Sequence, residues 1–225
     1  MVSPDLKEQL LESVRSTPSR TRGSSRVGAW LILPSSCLVA AVLFFSFDGV
    51  HHGQGRPAWF YTASLLGWTA VAALSLWAAL SRGGSAVGRS GAWLFTIAAG
   101  TPAILFAMMY AFAIAEPEVT LLHPERLGLK CLGLALAGAA FPMLGLMLVR
   151  RGSDPVHPGA TGAALGAACG ACAGVMVELW CPVGAPRHVA VGHILPIVVV
   201  AALGASIGSR FIAMRSLPST RPRKG

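Results

Sequence analysis

Charge is scarce in this chain. Asp, Glu, Lys and Arg make up only 12% of its 225 residues, and the acidic ones number nine. Soluble domains carry about 25% charged residues, so an ordinary soluble globular protein is excluded. Catalytic signatures are missing too. There is no HExxH and no phosphate-binding glycine loop, which removes zincin-type hydrolysis and P-loop nucleotide chemistry. The nearest approach to a nucleophile and base is Ser206 with His193, thirteen positions apart in one apolar stretch. That is about 20 Å along a helix, too far for the pair to form. The middles of the apolar stretches hold no ionisable residue, whereas a transporter is expected to place such groups near mid-bilayer. The first 26 residues are polar and the apolar run that follows is long. Both features argue against a cleaved signal peptide, whose apolar core spans about 7–15 residues.

Apolar residues dominate what is there, at 54%. Six stretches stand out: 27–47, 58–80, 92–115, 127–149, 159–180 and 189–214. Each is long enough, at about 1.5 Å per residue, to cross a hydrocarbon layer of about 30 Å. The expected fold is therefore all-α: a polytopic membrane protein of six transmembrane helices, occupying 27–214. With the N-terminus in the cytoplasm, fourteen of the 18 basic residues fall on that side, the tail 215–225 included. The positive-inside rule then puts both termini in the cytoplasm of a bacterial inner membrane. A net charge of +9 would point to nucleic acid in a soluble protein. Here the basic residues flank apolar stretches, so topology explains them, and the expected surroundings are membrane lipid with no direct nucleic-acid partner.

The leader, residues 1–26, has the grammar of a short helix followed by a tether. Ser3 suits the cap, Pro4 the first turn, Asp5 the positive end of the dipole and Arg15 the negative end. Leu6, Leu10, Leu11 and Val14 form one apolar stripe on a charged rod. A helix this short is not stable alone, since about 12–15 residues is the lower limit in water, and the stripe therefore needs a partner. Lipid headgroups are one candidate. However, Asp5, Glu8 and Glu12 offset Lys7 and Arg15, and interfacial helices usually carry a basic face. A groove on a protein partner suits the stripe better.

Within the apolar stretches, Pro34, Pro102, Pro142 and Pro196 each remove a backbone hydrogen bond and are expected to kink their helices. Gly162, Gly166, Gly170 and Gly174 recur every fourth position, with a shorter echo at Gly204 and Gly208. Such a flat face lets another helix approach closely. Packing within the bundle is the leading use, and a homodimer interface the alternative.

Of five cysteines, Cys169 and Cys172 have CxxC spacing, but they lie among small residues in an apolar helix and read as packing. Cys131 and Cys181 differ, because the topology places both near the outer membrane face, where disulfides persist. Glu178, His188 and His193 are close by, with His51, His52 and His123 on other outer segments. Thiol, imidazole and carboxylate suit a borderline metal, and two thiols also suit oxidation. A structural reading instead leaves His188 and His193 at the interface and pairs Glu178 with Arg187.

Several motifs in order resemble one known family. Arg150-Arg151-Gly152, Pro155, Pro158-Gly159-Ala160, Gly162, Gly166, then Glu178-Leu179-Trp180-Cys181-Pro182, then His193 and Gly204, Gly208 and Arg210 are similar to NrsF-type polytopic anti-sigma factors. Asp5-Leu6, Leu10 and Val14 resemble that family's cytosolic leader. The resemblance implies a negative regulator of transcription, not an enzyme, that holds an extracytoplasmic-function sigma factor at the inner membrane. Release would follow a stimulus such as light, oxidant or metal. Size and layout are also compatible with a light-responsive regulator of carotenoid biosynthesis, and a stress response fits as well. On this reading Asp5, Leu6, Glu8, Leu10, Leu11 and Val14 bind sigma, while Cys131, Cys181 and His193 sense. Val183 stands where the family usually has an acidic residue, so no metal and no cofactor is assigned. The leader has no HxxxCxxC, since no Cys or His precedes Cys37. The alternative reading is a small transporter or channel-like membrane protein.

Overall fold

The computed structural model describes residues 56–81, 89–120, 127–150 and 156–212, together with Glu8, Leu31, Ser35, Leu38, Val39, Ala41, Val42 and Ser46. Every regular element among them is helical. The long helices are α1 (Ala58–Leu80), α2 (Gly91–Ala115), α4 (Leu129–Val149), α5 (Pro158–Trp180) and α7 (Leu195–Phe211), with short α3 (Pro117–Thr120) and α6 (Pro186–Val189) between them. A π-helical turn, Ala190–Ile194, joins α6 to α7 without a break. Taken as one run, Pro186–Phe211 is the fifth helix long and apolar enough to cross a membrane. The sixth expected stretch, 27–47, lies outside the described residues apart from isolated helical positions. So do Asp5, Leu6, Leu10, Leu11, Val14, the tail 215–225, and His51, His52 and His123. Glu8 is helical and exposed.

Helix starts follow local chemistry. Pro57 precedes α1, and the Ser90 hydroxyl caps α2 by accepting from the Trp93 N–H at 3.3 Å. Pro158 occupies the first turn of α5, where a missing N–H costs nothing. Pro102 and Pro142 sit inside α2 and α4, and both helices continue through them.

The bundle is built around α5. It is 72% buried, against 28–44% for the other four long runs, and its sequence of Gly, Ala and Cys explains why. A Cβ added at Gly162 would strike the Gly204 carbonyl, one at Gly166 the Val200 carbonyl, and one at Gly170 the Ile197 Cα. Those three glycines therefore set α5 against α7 at backbone distance. Gly174 faces the other way, beneath the fully buried ring of Trp68 on α1. The four-fold glycine face is thus filled by this chain's own helices.

Apolar side chains also cover the outside: Leu66, Leu74 and Trp77 on α1, and Phe95, Ile104 and Ile114 on α2, are all exposed. A helix apolar all round is a core helix of a large protein or a membrane span. Among the described residues, polar links between helices are few along the middle of the bundle. Ser75 and Thr101 share a hydrogen bond of 2.7 Å across α1 and α2. At the end of the bundle where α1 and α4 finish, Arg150 Nη2 donates to the Leu80 carbonyl at 3.0 Å.

Candidate functional site

The opposite end of the bundle gathers the chemistry. Here α5 ends at Trp180 and the chain runs through Cys181-Pro-Val-Gly-Ala185 into α6. The start of α4 comes alongside because two glycines let it. Gly128, the residue before α4, has φ +79°, and a side chain there would meet the His188 carbonyl and Gly192. Gly192 in turn has the Cys131 Cβ and the Gly128 carbonyl 3.0 Å from where its own Cβ would stand. With any larger residue at either position, Cys131 would be held off.

The π turn supplies the other half. Residues five apart on an α-helix lie about 140° apart around the axis, so His188 and His193 would diverge. Pro196 has no N–H to donate to the Gly192 carbonyl four residues back, which weakens the regular α-helix here. The chain responds by widening one turn, with the Leu195 N–H reaching the Ala190 carbonyl five positions back. A π turn of this kind is an insertion often found at functional sites. It brings the two imidazoles to 5.6 Å between ring centroids.

The result is a buried cluster. Cys131 Sγ, Cys181 Sγ and one nitrogen from each of His188 and His193 all lie within 4.8 Å of one another. His188 Nε2 is 3.1 Å from Cys181 Sγ and 3.5 Å from Cys131 Sγ. His193 and Glu178 are fully buried, at 0% exposure. The His193 Nδ1 faces Glu178 Oε2 at 3.4 Å, yet neither ring nitrogen nor that oxygen has a hydrogen-bond partner. Leaving such a group unsatisfied costs about 1–3 kcal/mol.

Beside the cluster, Glu178 Oε1 accepts from Arg56 Nη1 and from the Ser64 hydroxyl. The rest of the Arg56 guanidinium is committed to backbone: Nη2 donates to the Cys181 carbonyl at 2.6 Å and to Val183 at 3.1 Å, and Nε to Pro182 at 3.0 Å. The planar fork of donors suits this multiple contact, which a lysine could not reproduce. Arg56 therefore stitches the start of α1 to the connection that carries Cys181. Val183 is buried in one apolar cluster with Cys131, Ala135, Val177, Cys181 and Ala185. Lys130 covers the Trp180 ring at 4.7 Å. The Cys181 thiol lies below its ordinary pKa: hydrogen bonding to Cys131 is the largest cause and His188 adds to it, while burial opposes.

Cys131, Cys181 and His193, the three residues expected to sense, are brought together. His188 joins them, which the reading of it as interfacial missed, for it is 4% exposed. The expected Glu178–Arg187 pair does not form: Arg187 is exposed, and Arg56 takes the carboxylate instead. Nothing local in the sequence marks Arg56, whose partner is 122 positions away. Cys169 is buried against the α1, α2 and α4 core, as the packing reading expects. Ser206 is exposed and donates to the Ala202 carbonyl in its own helix.

The family model NrsF, described as negative regulator of sigma F, matches residues 11–214, nearly the whole chain. No curated protein and no solved structure matches. The chain belongs to the NrsF family of negative regulators of a sigma factor.

Proposed function

We propose that this member of the NrsF family is a membrane-bound anti-sigma factor that sequesters an extracytoplasmic-function sigma factor at the bacterial inner membrane and releases it on a stimulus. The family match over residues 11–214 carries this reading. Five helices long and apolar enough to cross a membrane support the anchoring, with 27–47 as the first of six spans. The distribution of basic residues supports cytoplasmic termini. In this arrangement the leader meets sigma through Leu6, Leu10, Leu11 and Val14, with Asp5 and Glu8 facing basic residues on its surface.

The thiol–imidazole cluster then lies at the outer end of the bundle, on the side opposite the leader. Ligands from α4, the 181–185 connection, α6 and the π turn meet there, so a chemical change at the cluster acts on several helices at once. Oxidant and soft metal are the stimuli that its thiols and imidazoles suit; light is the remaining candidate. The test is co-purification of the full-length protein with its cognate sigma factor from membranes. Leu6→Asp with Leu10→Asp should abolish it. Undiminished recovery of sigma would remove the leader from the mechanism.

A further inference from the structure

Glu178 Oε2 and both nitrogens of His193 are fully buried and have no hydrogen-bond partner among the described residues. Two thiols and a second imidazole converge on the same point. A dense arrangement of this kind, with its lone pairs turned inward, is what a cation satisfies and hydrogen bonds alone do not. We propose that Cys131, Cys181, His188 and His193 form a closed four-ligand site for a zinc-class divalent ion, with Glu178 orienting His193 from outside.

Geometry supports the ligand set. In a tetrahedral site with Zn–S of about 2.3 Å and Zn–N of about 2.0–2.1 Å, ligand atoms stand about 3.4–3.8 Å apart. His188 Nε2 is already 3.5 Å and 3.1 Å from the two sulfurs. The widest separation within the set is bounded by 4.8 Å, so closing around an ion needs a contraction of about 1 Å. The outer shell is also in place. His193 turns Nδ1 toward Glu178 Oε2, which leaves Nε2 for the ion and makes the carboxylate–histidine–metal arrangement that fixes ligand orientation. Glu178 is fixed in turn by Arg56 and Ser64.

Charge balances as well. Binding converts two thiols and a free divalent ion into a neutral dithiolate complex and releases two protons to solvent. Glu178 with Arg56 is a second neutral unit beside it. No net charge is buried, which an apolar bundle demands. Four protein ligands leave no open position, so the site is structural or sensory rather than catalytic. The mixed sulfur and nitrogen set selects zinc, cobalt or cadmium over magnesium or calcium. This inference stands whether or not the ion is the stimulus, and its test reads the metal, not sigma.

The experiment uses full-length protein extracted from membranes into detergent and kept reduced. Wild type should contain about one zinc per chain. Exchange for Co2+ should give the intense visible bands of tetrahedral cobalt with a sulfur-to-cobalt charge-transfer band. Cys131→Ser and His193→Gln should each cut bound metal at least tenfold, while Cys169→Ser and Cys172→Ser leave it unchanged. The wild-type cobalt spectrum requires no variant to fold. A wild type that binds no cobalt under reducing conditions, gives only the weak spectrum of six-coordinate cobalt, or retains its ion in Cys131→Ser and His193→Gln overturns the site. A Cys131–Cys181 disulfide in protein alkylated within the membrane, with no zinc bound, overturns it equally.

Discussion

Arg56 and Glu178, 122 positions apart in sequence, meet as an ion pair with both side chains at 0% exposure. The pair joins the second residue before α1 to the last turn of α5, and through three carbonyls it also fixes the connection that holds Cys181. One arginine thus closes an ion pair and holds a loop at once.

Removing it should be severe. Arg56→Met leaves a buried carboxylate without its counter-charge, a loss of about 3–5 kcal/mol. Thermal unfolding in detergent should show a large drop in Tm. The double variant Arg56→Met with Glu178→Gln should recover part of that loss, because the uncompensated charge is gone. Equal Tm values for the single and double variants would show that the carbonyl contacts, not the pair, carry the effect.

The glycine face offers a contrast inside one fold. Gly166→Ala places a methyl on the Val200 carbonyl of α7 and should destabilise by about 1–3 kcal/mol through overpacking. Gly133→Ala, in α4 where nothing lies within 4 Å, should be neutral or stabilise by up to about 1 kcal/mol. Comparing the two Tm shifts in the same detergent checks the proposed contact between α5 and α7 directly.

For the leader, the proposed burial of Leu6 and Leu10 against sigma, at about 1.5–3 kcal/mol each, amounts to a hundredfold or greater loss of sigma affinity when both are replaced by Asp. Leu6→Asp with Leu10→Asp should therefore derepress a sigma-dependent reporter constitutively, with the membrane protein still present at normal abundance.

The cluster variants should act differently. Cys131→Ser and Cys181→Ser are expected to keep sigma sequestered and to blunt its release by an oxidant or soft metal. Measured with the same reporter, this outcome is low basal activity with little induction. High basal activity from either variant would mean that the thiols maintain sequestration rather than sense.

Much of this architecture was legible from the residues. Length and apolarity locate the five described helices to within a few positions, and the Gly162-to-Gly174 repeat marks the helix around which the rest pack. The placement of Cys131 and Cys181 at one end follows from counting spans. His188 and Arg56 did not follow. Five positions on an α-helix point His188 away from His193, and the π turn that reunites them has a single signal, Pro196, which is shared with ordinary kinks. Arg56 finds Glu178 rather than Arg187 through the way α1 lies against α5, and no sequence spacing records that. Short-range pattern yields elements and faces, while pairing across the bundle is decided by packing.

The widened turn at 190–194 makes the winding of the backbone itself a determinant of the cluster. Rewinding the same residues as a plain α-helix, with no change of length, would turn His188 about 100° relative to His193. All four candidate ligands would still be present in the sequence, yet they would no longer share a centre. For this protein an unchanged inventory of Cys and His is not enough to certify the site, because the five-residue hydrogen bond from Leu195 to Ala190 keeps the register in which those side chains meet.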